Sequence, residues 1–363
     1  MNTNFCRPAG AWGFGAITPR GGAKTLTPGY HLDAPPGRLI LAGFNFQRLL
    51  ACQISRLKPV LRTNYMPSNN FQIHTPAHGS VNVDGIKIAF NYWPGRGTPI
   101  VCLHGLTASS MSFICLANAL EQPVLAIDLR GRGNSDKPDA PYGMAQHARD
   151  VAAVLRAFGE QSYVVVGHSM GAYIATALAA QEPDLVVGLV MLDGGYFPPM
   201  PDGLTADQIL NAVVGPAVIG RLNQTFSSHE EYLNYWRTLP SYPPEVWNDS
   251  LETYLKYDLD GEAPNLQPKG SEAGIRADFA DMLRREEITA RLKSVKCPTM
   301  VIRAEHGMAQ GQPGILPDVV LQEIKTLIPH LEIRTMADVT HYTILFNESG
   351  EAQVADLLVN FIG

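Results

Sequence analysis

The chain has 363 residues, of which 45% are hydrophobic and 17% charged, and its formal net charge is −6 at pH 7. This composition is typical of a globular protein with a large core, and it excludes an intrinsically disordered chain. The negative charge gives no reason to expect a nucleic-acid partner, and no apolar run approaches the roughly 20 residues that span a bilayer.

The first 75 residues differ from the rest of the chain in charge and in turn-forming residues. Residues 1–70 contain eight basic side chains and one acidic side chain, and Gly and Pro are frequent in "RPAGAWGFG" and "DAPPGR". A secretory signal would need a long apolar run followed by small residues, and the start of the chain lacks this pattern. We expect residues 1–75 to be a loose or docked basic arm, with a short amphipathic helix over residues 38–51. A targeting segment is the alternative.

From residue 76 the hydrophobic pattern alternates between strands and helices. A hairpin turning at Asp84-Gly85 comes first. Further strands are expected over residues 99–105, 124–131, 162–167 and 185–193. Helical patterns separate them, over residues 110–120, 144–159 and 170–180. Alternation of this length predicts right-handed crossovers and a mostly parallel sheet, hence an α/β fold.

The alternation stops between residues 196 and 296. This block contains many aromatic residues at helical spacing, as in "EEYLNYW" and "ETYLKY", and it is too long for a simple loop. Strands over residues 298–304 and 331–336 then resume the pattern, each followed by a helix. The chain is therefore predicted to have a core of residues 76–195 and 297–363, with a helical cap of residues 196–296 inserted after the sixth core strand.

The five cysteines form no C-x-x-C pair. They are Cys6, Cys52, Cys102, Cys115 and Cys297. An odd number of separated cysteines favours buried thiols in a reducing compartment, and so predicts a cytoplasmic location.

Residues 167–171, "GHSMG", match the pattern G-x-S-x-G at the junction of a predicted strand and a predicted helix. A serine at such a turn adopts a strained backbone so that its Oγ projects from the sheet edge, and the flanking glycines avoid collisions. The helix that follows directs its N-terminus, including the Met170 N–H, toward negative charge forming beside Ser169. The pattern predicts Ser169 as a nucleophile. A helix-capping serine at an ordinary turn is the alternative.

A serine nucleophile needs a base, and among ten histidines His341 has the right position. It follows the last predicted strand in "ADVTHYTIL", on a loop at the carboxyl edge of the sheet, the edge that also presents Ser169. The chain order Ser–acid–His is consistent with this role. His147 is expected on a helix surface, and His168, inside the turn, is expected to point elsewhere. We therefore predict His341 as the general base.

Together with "GHSMG", the stretches "LHGLTASS" (103–110) and "DLRGRGNSDKP" (128–138) resemble the α/β-hydrolase family. The resemblance covers about residues 79–363. It implies the α/β-hydrolase fold, a mostly parallel central sheet flanked by helices with the helical block as a cap.

The same resemblance implies roles for backbone and side-chain groups near the serine. The N–H of Leu106, just after the His-Gly pair, is expected to complete an oxyanion hole with the N–H of Met170. The loop residues Asp128, Arg130 and Arg132 are expected to brace loops rather than to contact substrate.

The acidic member departs from the commonest family pattern, which is G-x-x-D after the penultimate strand. Here that stretch is "IRAEHGMAQGQPG", and Gly307 stands about where the aspartate is expected. Some relatives place the acid after the preceding core strand, where "VMLDGG" offers Asp193. We predict Asp193 as the acid that orients the histidine, with Glu305, Asp338 or no acid as the alternatives.

Metal and cofactor motifs are weak. "HTPAH" (74–78) pairs two histidines, but its proline prevents a helical i, i+4 arrangement and no third ligand follows nearby. No Gly-rich phosphate-binding motif occurs between a strand and a helix. We expect no metal and no cofactor.

The sequence thus predicts a serine hydrolase that cleaves a small, moderately hydrophobic carboxylic ester through an acyl-enzyme. The same residues would serve a lactonase, an amidase or a carbon–carbon bond hydrolase, and the fold also occurs in receptors for small ligands. An epoxide hydrolase or haloalkane dehalogenase is excluded because its nucleophile is an aspartate. The number of subunits is left open.

Overall fold

The computed structural model describes residues 75–159, 162–200, 203–346 and 348–363. The basic arm expected over residues 1–75, with its helix over residues 38–51, therefore lies outside the described residues except for residue 75.

A single large sheet organises the described chain, and a two-stranded ribbon lies apart from it. The strands are β1 (Ala77–Val83), β2 (Ile86–Trp93), β3 (Ile100–Leu103), β4 (Val124–Ile127), β5 (Tyr163–His168), β6 (Val186–Leu192), β7 (Leu259–Asp260), β8 (Gln267–Pro268), β9 (Thr299–Ala304) and β10 (Glu332–Met336). The large sheet has the order β1-β2-β4-β3-β5-β6-β9-β10, and β7 pairs with β8. Strand β2 pairs antiparallel with β1 and with β4, and the remaining pairs of the large sheet are parallel. The mostly parallel sheet expected from the sequence is confirmed.

Helices cover both faces of this sheet. They are α1 (Ile114–Ala119), α2 (Met144–Phe158), α3 (Met170–Gln181), α4 (Ala206–Val213), α5 (Pro216–Gly220), α6 (His229–Arg237), α7 (Asp249–Tyr257), α8 (Glu272–Met282), α9 (Arg285–Ser294), α10 (Asp318–Leu327) and α11 (Glu348–Ile362). Because side chains alternate along a strand, Val101 and Leu103 of β3 pack in one core cluster with α2 and α3, whereas Ile100 and Cys102 pack in another with α1 and α11. Both faces of β3 are buried, as its continuous apolar run predicts.

In the described part of the chain, six α-helices, α4 to α9, lie between β6 and β9, and we call this segment the helical insertion. Helices α6 and α7 pack against each other, whereas α9 packs against α3 beside the sheet. Apart from the short ribbon of β7 and β8, the regular secondary structure of this segment is helical. That residues 196–296 form a cap separate from the core stays a prediction.

Among the described residues, no helix combines the length and the apolar character needed to cross a membrane.

Cys102 and Cys115 are buried and Cys297 is half-buried, while Cys6 and Cys52 lie outside the described residues. The cytoplasmic location stays a prediction.

Candidate active site

Ser169 occupies the single-residue turn between β5 and α3. Its φ of 56° and ψ of −119° are strained for a residue with a Cβ. A Cβ at Gly167 would overlap the carbonyl oxygen of Gly171, and a Cβ at Gly171 would overlap the carbonyl oxygen of Leu103. Both glycines of the G-x-S-x-G pattern are therefore required by close backbone packing around the serine.

His341 is paired with the carboxylate of Asp193. The Nδ1 atom of His341 lies 2.7 Å from Oδ2 of Asp193, and both side chains are buried. The other carboxylate oxygen, Oδ1, accepts a hydrogen bond of 3.0 Å from the N–H of Ala304. Asp193 follows β6 and His341 follows β10, so two parallel strands deliver the pair to one edge of the sheet. With Nδ1 engaged by the carboxylate, Nε2 is the nitrogen of His341 left to take up a proton.

The other two candidate carboxylates make different contacts. Glu305 is exposed, and its Oε2 accepts a hydrogen bond of 3.0 Å from the N–H of Asp338. Of the three carboxylates that the sequence offered, the structure brings Asp193 to His341.

Glu305 and Asp338 also lie beside His306. One potential ligand atom from each of the three residues lies within 4.8 Å of the others. Both carboxylates are exposed, and one oxygen of Glu305 already accepts a backbone hydrogen bond. No local sequence pattern indicates this cluster, because Asp338 lies far along the chain from Glu305 and His306. Because none of the three side chains is buried, we assign no metal to this cluster.

Ser169 and His341 line the same cavity. Among the described residues no hydrogen bond joins the two side chains, and such bonds are often long in unliganded enzymes. The cavity wall contains seven aromatic side chains other than histidine: Phe197, Trp236, Tyr242, Tyr254, Phe279, Tyr342 and Phe346. No Asp, Glu, Lys or Arg of the described chain lines the cavity. The cavity suits an uncharged, largely apolar ligand.

Two backbone N–H groups near Ser169 are without an acceptor in the described chain. The N–H of Met170 belongs to the first turn of α3, where helical N–H groups have no partner within the helix. The N–H of Leu106 follows Gly105, where an added Cβ would lie 3.3 Å from Cβ of Ser169. Met170 is adjacent to Ser169 and Leu106 follows a residue that packs on it, while the oxyanion-hole role of these two N–H groups stays a prediction.

His168 contacts the site, contrary to the expectation that it points elsewhere. Its Nε2–H donates a hydrogen bond of 2.9 Å to the carbonyl of His341, and the two rings are 4.6 Å apart with an interplanar angle of 31°. Burial, with a further contribution from the charge on His341, lowers the pKa of His168 well below its ordinary value. His168 is therefore a neutral ring held against His341. Its place inside the "GHSMG" motif was the available signal.

His147 is buried, although its helical pattern predicted a surface position. Its Nε2 lies 2.9 Å from Oδ2 of Asp278 in α8, which covers this face of α2. Burial alone would raise the pKa of Asp278, but His147 and Arg132 beside it hold the pKa below its ordinary value. The helical insertion thus buries an ionic cluster that local periodicity did not predict.

Comparison with known proteins gives a consistent family relationship. The model of the alpha/beta hydrolase fold family matches residues 98–215. The 2-(acetamidomethylene)succinate hydrolase of Mesorhizobium japonicum is 26% identical over 270 residues, which are 74% of this chain and 89% of that enzyme. The sn-1-specific diacylglycerol lipase ABHD11 of Mus musculus is 40% identical over 125 residues, but these are only 32% of this chain and 40% of the lipase.

A solved structure has the same fold over most of its length. The crystal structure of E-2-(acetamidomethylene)succinate hydrolase superposes with a TM-score of 0.66 at 23% identity, covering 79% of this chain and 99% of that enzyme. At this identity the superposition shows the shared fold. The relatives named above are hydrolases of different kinds, so the comparisons support hydrolysis without selecting one type of bond.

Proposed function

Since the chain belongs to the α/β-hydrolase superfamily, we propose that it is a serine hydrolase that cleaves a carboxylic ester of a small, moderately hydrophobic molecule. One observation carries the proposal. The elbow serine and His341, which is paired with Asp193, line the same uncharged, aromatic cavity. An ester is a neutral group, so an uncharged cavity can enclose it without leaving a buried charge unpaired.

The proposed reaction proceeds through an acyl-enzyme. His341 takes the proton of Ser169 as Oγ attacks the ester carbonyl, and the N–H groups of Leu106 and Met170 bind the resulting oxyanion. One such donor contributes about 3–4 kcal/mol to transition-state stabilisation in comparable sites. The protonated His341 gives its proton to the departing alcohol. Water, deprotonated by His341, then attacks the acyl-enzyme and releases the acid and Ser169.

The orienting acid in this proposal is Asp193. Its hydrogen bond fixes the tautomer of His341 that has a free lone pair on Nε2, and its negative charge stabilises the imidazolium that forms during attack. Glu305 and Asp338 are not given this role, because Glu305 is bonded to the Asp338 backbone instead.

Amide hydrolysis is the second candidate, since the name of the Mesorhizobium relative indicates a substrate with an acetamido group. That substrate is also a succinate, and a succinate needs cationic partners that the cavity lining here lacks. We therefore favour a neutral ester over a dicarboxylate amide.

Lactonase and carbon–carbon bond hydrolase activities use the same three side chains. A receptor on this fold would bind a ligand without turnover.

A fluorophosphonate probe tests the nucleophile. We expect it to label the wild-type chain on Ser169 and to leave Ser169→Ala unlabelled, since only a serine activated by a base attacks phosphorus rapidly. Ser112→Ala is the matched control, because Ser112 lines the same cavity and its removal should leave the labelling in place. Labelling that persists in Ser169→Ala would reject the assignment.

A substrate panel tests the bond type. p-Nitrophenyl esters of increasing chain length are compared with lactones, anilides and carboxylate-bearing esters of similar size. We expect the highest kcat/KM for neutral esters and a loss of activity when a carboxylate is added to the acyl group. A preference for the charged ester would contradict the proposed substrate class, and a preference for anilides would favour the amidase.

A further inference from the structure

Two consecutive carbonyl groups of the loop after β3 accept hydrogen bonds from buried arginines. Nε of Arg132 donates to the carbonyl of Leu106 over 3.0 Å, and Nη2 of Arg221 donates to the carbonyl of Thr107 over 3.0 Å. Each arginine is only 1% exposed. The two charged groups reach the loop from different parts of the chain, one from the loop after β4 and the other from the end of α5. The backbone at Leu106 is thus held by charge-assisted hydrogen bonds.

The carbonyl before these two is also held. Nδ1 of His104 lies 2.8 Å from the carbonyl oxygen of Gly105, and Nε2 of His104 accepts the N–H of Leu129. In a trans peptide the C=O and N–H point in opposite directions, so fixing the Gly105 carbonyl also fixes the direction of the Leu106 N–H. That N–H is the donor assigned to the oxyanion hole. Side chains behind the loop therefore determine where the donor points.

The insertion holds Arg132 in place. Nη1 of Arg132 pairs with Oδ2 of Asp278, a fully buried residue of α8. Oδ1 of Asp278 accepts a hydrogen bond of 2.7 Å from the N–H of Gly143. Nη2 of the same guanidinium lies 4.0 Å from Sδ of Met170, the residue whose backbone N–H is the second proposed donor. Arg132 thus joins α8 to both residues of the proposed oxyanion hole.

Apart from its hydrogen bond to the Thr107 carbonyl, Arg221 is held by groups of the insertion. Nη2 of Arg221 lies 3.0 Å from Oδ2 of Asp258, and Nε lies 3.0 Å from the hydroxyl of Tyr232, which also donates to Asp258. Its guanidinium lies 5.0 Å from the ring centre of Trp236. Burial alone would lower the pKa of Arg221, but Tyr232 and Asp258 hold it above its ordinary value. Arg221 therefore stays charged and fixed in one geometry.

We propose that Arg132 and Arg221 are positioning residues of the oxyanion hole, and that the helical insertion sets the geometry of this hole through Asp278 and Asp258. The inference rests on the proposed function for the role of the Leu106 N–H. The insertion then has two tasks, since it forms part of the aromatic cavity wall and also holds the donor loop in its active geometry. Neither arginine contacts substrate, because neither lines the cavity.

Lysine variants test the proposal while keeping the buried charge. In Arg221→Lys the three donors of one ammonium nitrogen cannot replace the guanidinium, which donates to Thr107, Val218, Tyr232 and Asp258 from three separate nitrogens. We expect kcat to fall about 10- to 100-fold at nearly unchanged KM, less than the 10²- to 10³-fold cost of deleting a donor. Inhibition by a trifluoromethyl ketone, whose adduct places an oxyanion in the hole, should weaken by the same factor. Arg132→Lys should behave in the same way.

A purely structural role would give a different result, and matched variants separate the two. Arg276→Lys is the control, since Arg276 lies in α8, pairs with the exposed Asp207 and the half-buried Glu272, and should retain wild-type kcat. If a lysine variant fails to fold, the double variant Arg221→Met/Asp258→Leu removes both charges and leaves no buried charge unpaired. A parallel loss of kcat, substrate affinity and melting temperature in these variants would overturn the proposal.

Hydrogen exchange tests the positioning without catalysis. The amides of residues 105–108 should exchange faster in Arg221→Lys and in Arg132→Lys than in wild type, and at the wild-type rate in Arg276→Lys. Unchanged exchange in the two variants would overturn the inference whatever the activity shows. Failure of the probe to label Ser169 would reject the proposed function separately, since the exchange measurement uses no substrate.

Discussion

His341 is constrained by one neighbour at its ring nitrogen and by another at its ring face. Asp193 engages Nδ1, while His168 lies against the ring and holds the backbone carbonyl of His341. Because burial keeps His168 neutral, it does not repel His341 when the latter takes up a proton. Two constraints on one imidazole leave Nε2 with a defined direction toward the cavity, which is the property a general base needs.

Asp193→Asn should reduce kcat by about 10³- to 10⁴-fold with little change in KM. The amide can no longer stabilise the imidazolium, and its NH₂ group favours the wrong tautomer of the histidine. Steady-state kinetics on the best p-nitrophenyl ester provide the measurement. Glu305→Gln is the matched control, and it should retain wild-type kcat because Glu305 bonds to the Asp338 backbone. A crippled Glu305→Gln beside an active Asp193→Asn would transfer the acid role to Glu305.

His104 should make the folded chain less stable at acidic pH. Burial, opposed by the charge of Asp128, lowers the pKa of His104 from 6.5 to about 4. Between these values the unfolded chain binds a proton that the folded chain does not. Stability from this group is therefore complete above pH 6.5 and falls as the pH drops toward 4. The full shift corresponds to about 3 kcal/mol of unfolding free energy.

Urea unfolding of wild type and His104→Asn at several pH values between 7.5 and 4 measures this contribution. The variant should be less stable at pH 7.5, yet its unfolding free energy should decline less steeply with acid. His229→Gln, at an exposed position of α6, should keep the wild-type slope. An equal slope in His104→Asn and wild type would show that other groups carry the pH dependence.

At the level of elements, the contact between β3 and the start of α3 determines where the elbow lies. Gly171 of α3 packs directly on the carbonyl of Leu103, at the end of β3. Any Cβ there would push the helix away from the strand, and with it the N–H of Met170. The first turn of α3 thus has both a packing task and a proposed catalytic task.

Gly171→Ala should lower the unfolding free energy by about 1–3 kcal/mol, the usual cost of an overpacked core, and reduce kcat as well. Chemical unfolding and ester kinetics on the same preparation measure both effects. Gly220→Ala is the control, because nothing lies within 4 Å of a Cβ at that helical position. It should be neutral or slightly stabilising. A Gly171→Ala chain with wild-type stability would show that the helix can shift at no cost.

The sequence predicted elements well where the pattern is local. Apolar runs and helical spacing indicated each strand of the sheet, and "GHSMG" indicated the elbow, because these signals depend on neighbouring residues. The partner of Arg132 lies 146 residues away in α8, and no spacing rule connects the two. His147 was misplaced for the same reason, since the helix that buries it comes from the insertion. Sequence patterns could not predict the contacts between the insertion and the rest of the chain.

At the scale of the whole molecule, the insertion completes a site whose reactive groups come from the sheet. Ser169, Asp193 and His341 follow three strands at one edge, while Trp236 and Tyr242 belong to the insertion and form part of the cavity wall. The buried Asp278 and Asp258 add charged links from the same segment to the loop after β3. If the insertion holds that loop as proposed, the cavity wall and the oxyanion-hole geometry depend on the same segment, and changes in one should affect the other.

Removing residues 1–70 should leave the proposed activity intact. The strands of the sheet, both core clusters and every proposed site residue lie between residues 77 and 362. The deletion removes eight basic residues and one acid, which leaves 28 − 8 = 20 basic and 34 − 1 = 33 acidic residues and a net charge of −13. A neutral ester should be insensitive to this added negative charge, because its attraction to the protein does not depend on long-range electrostatics. We expect kcat/KM within about twofold of wild type.

Kinetics and thermal unfolding of the shortened and full chains test this expectation. A full-length variant with the eight basic residues changed to glutamine separates loss of charge from loss of chain. If both variants keep activity, residues 1–70 have a task outside catalysis. If only the shortened chain is inactive or insoluble, those residues contribute contacts that the core needs, and the predicted boundary at residue 75 is wrong. Equal loss in both variants would instead show that positive charge near the site matters, which would argue against a neutral substrate.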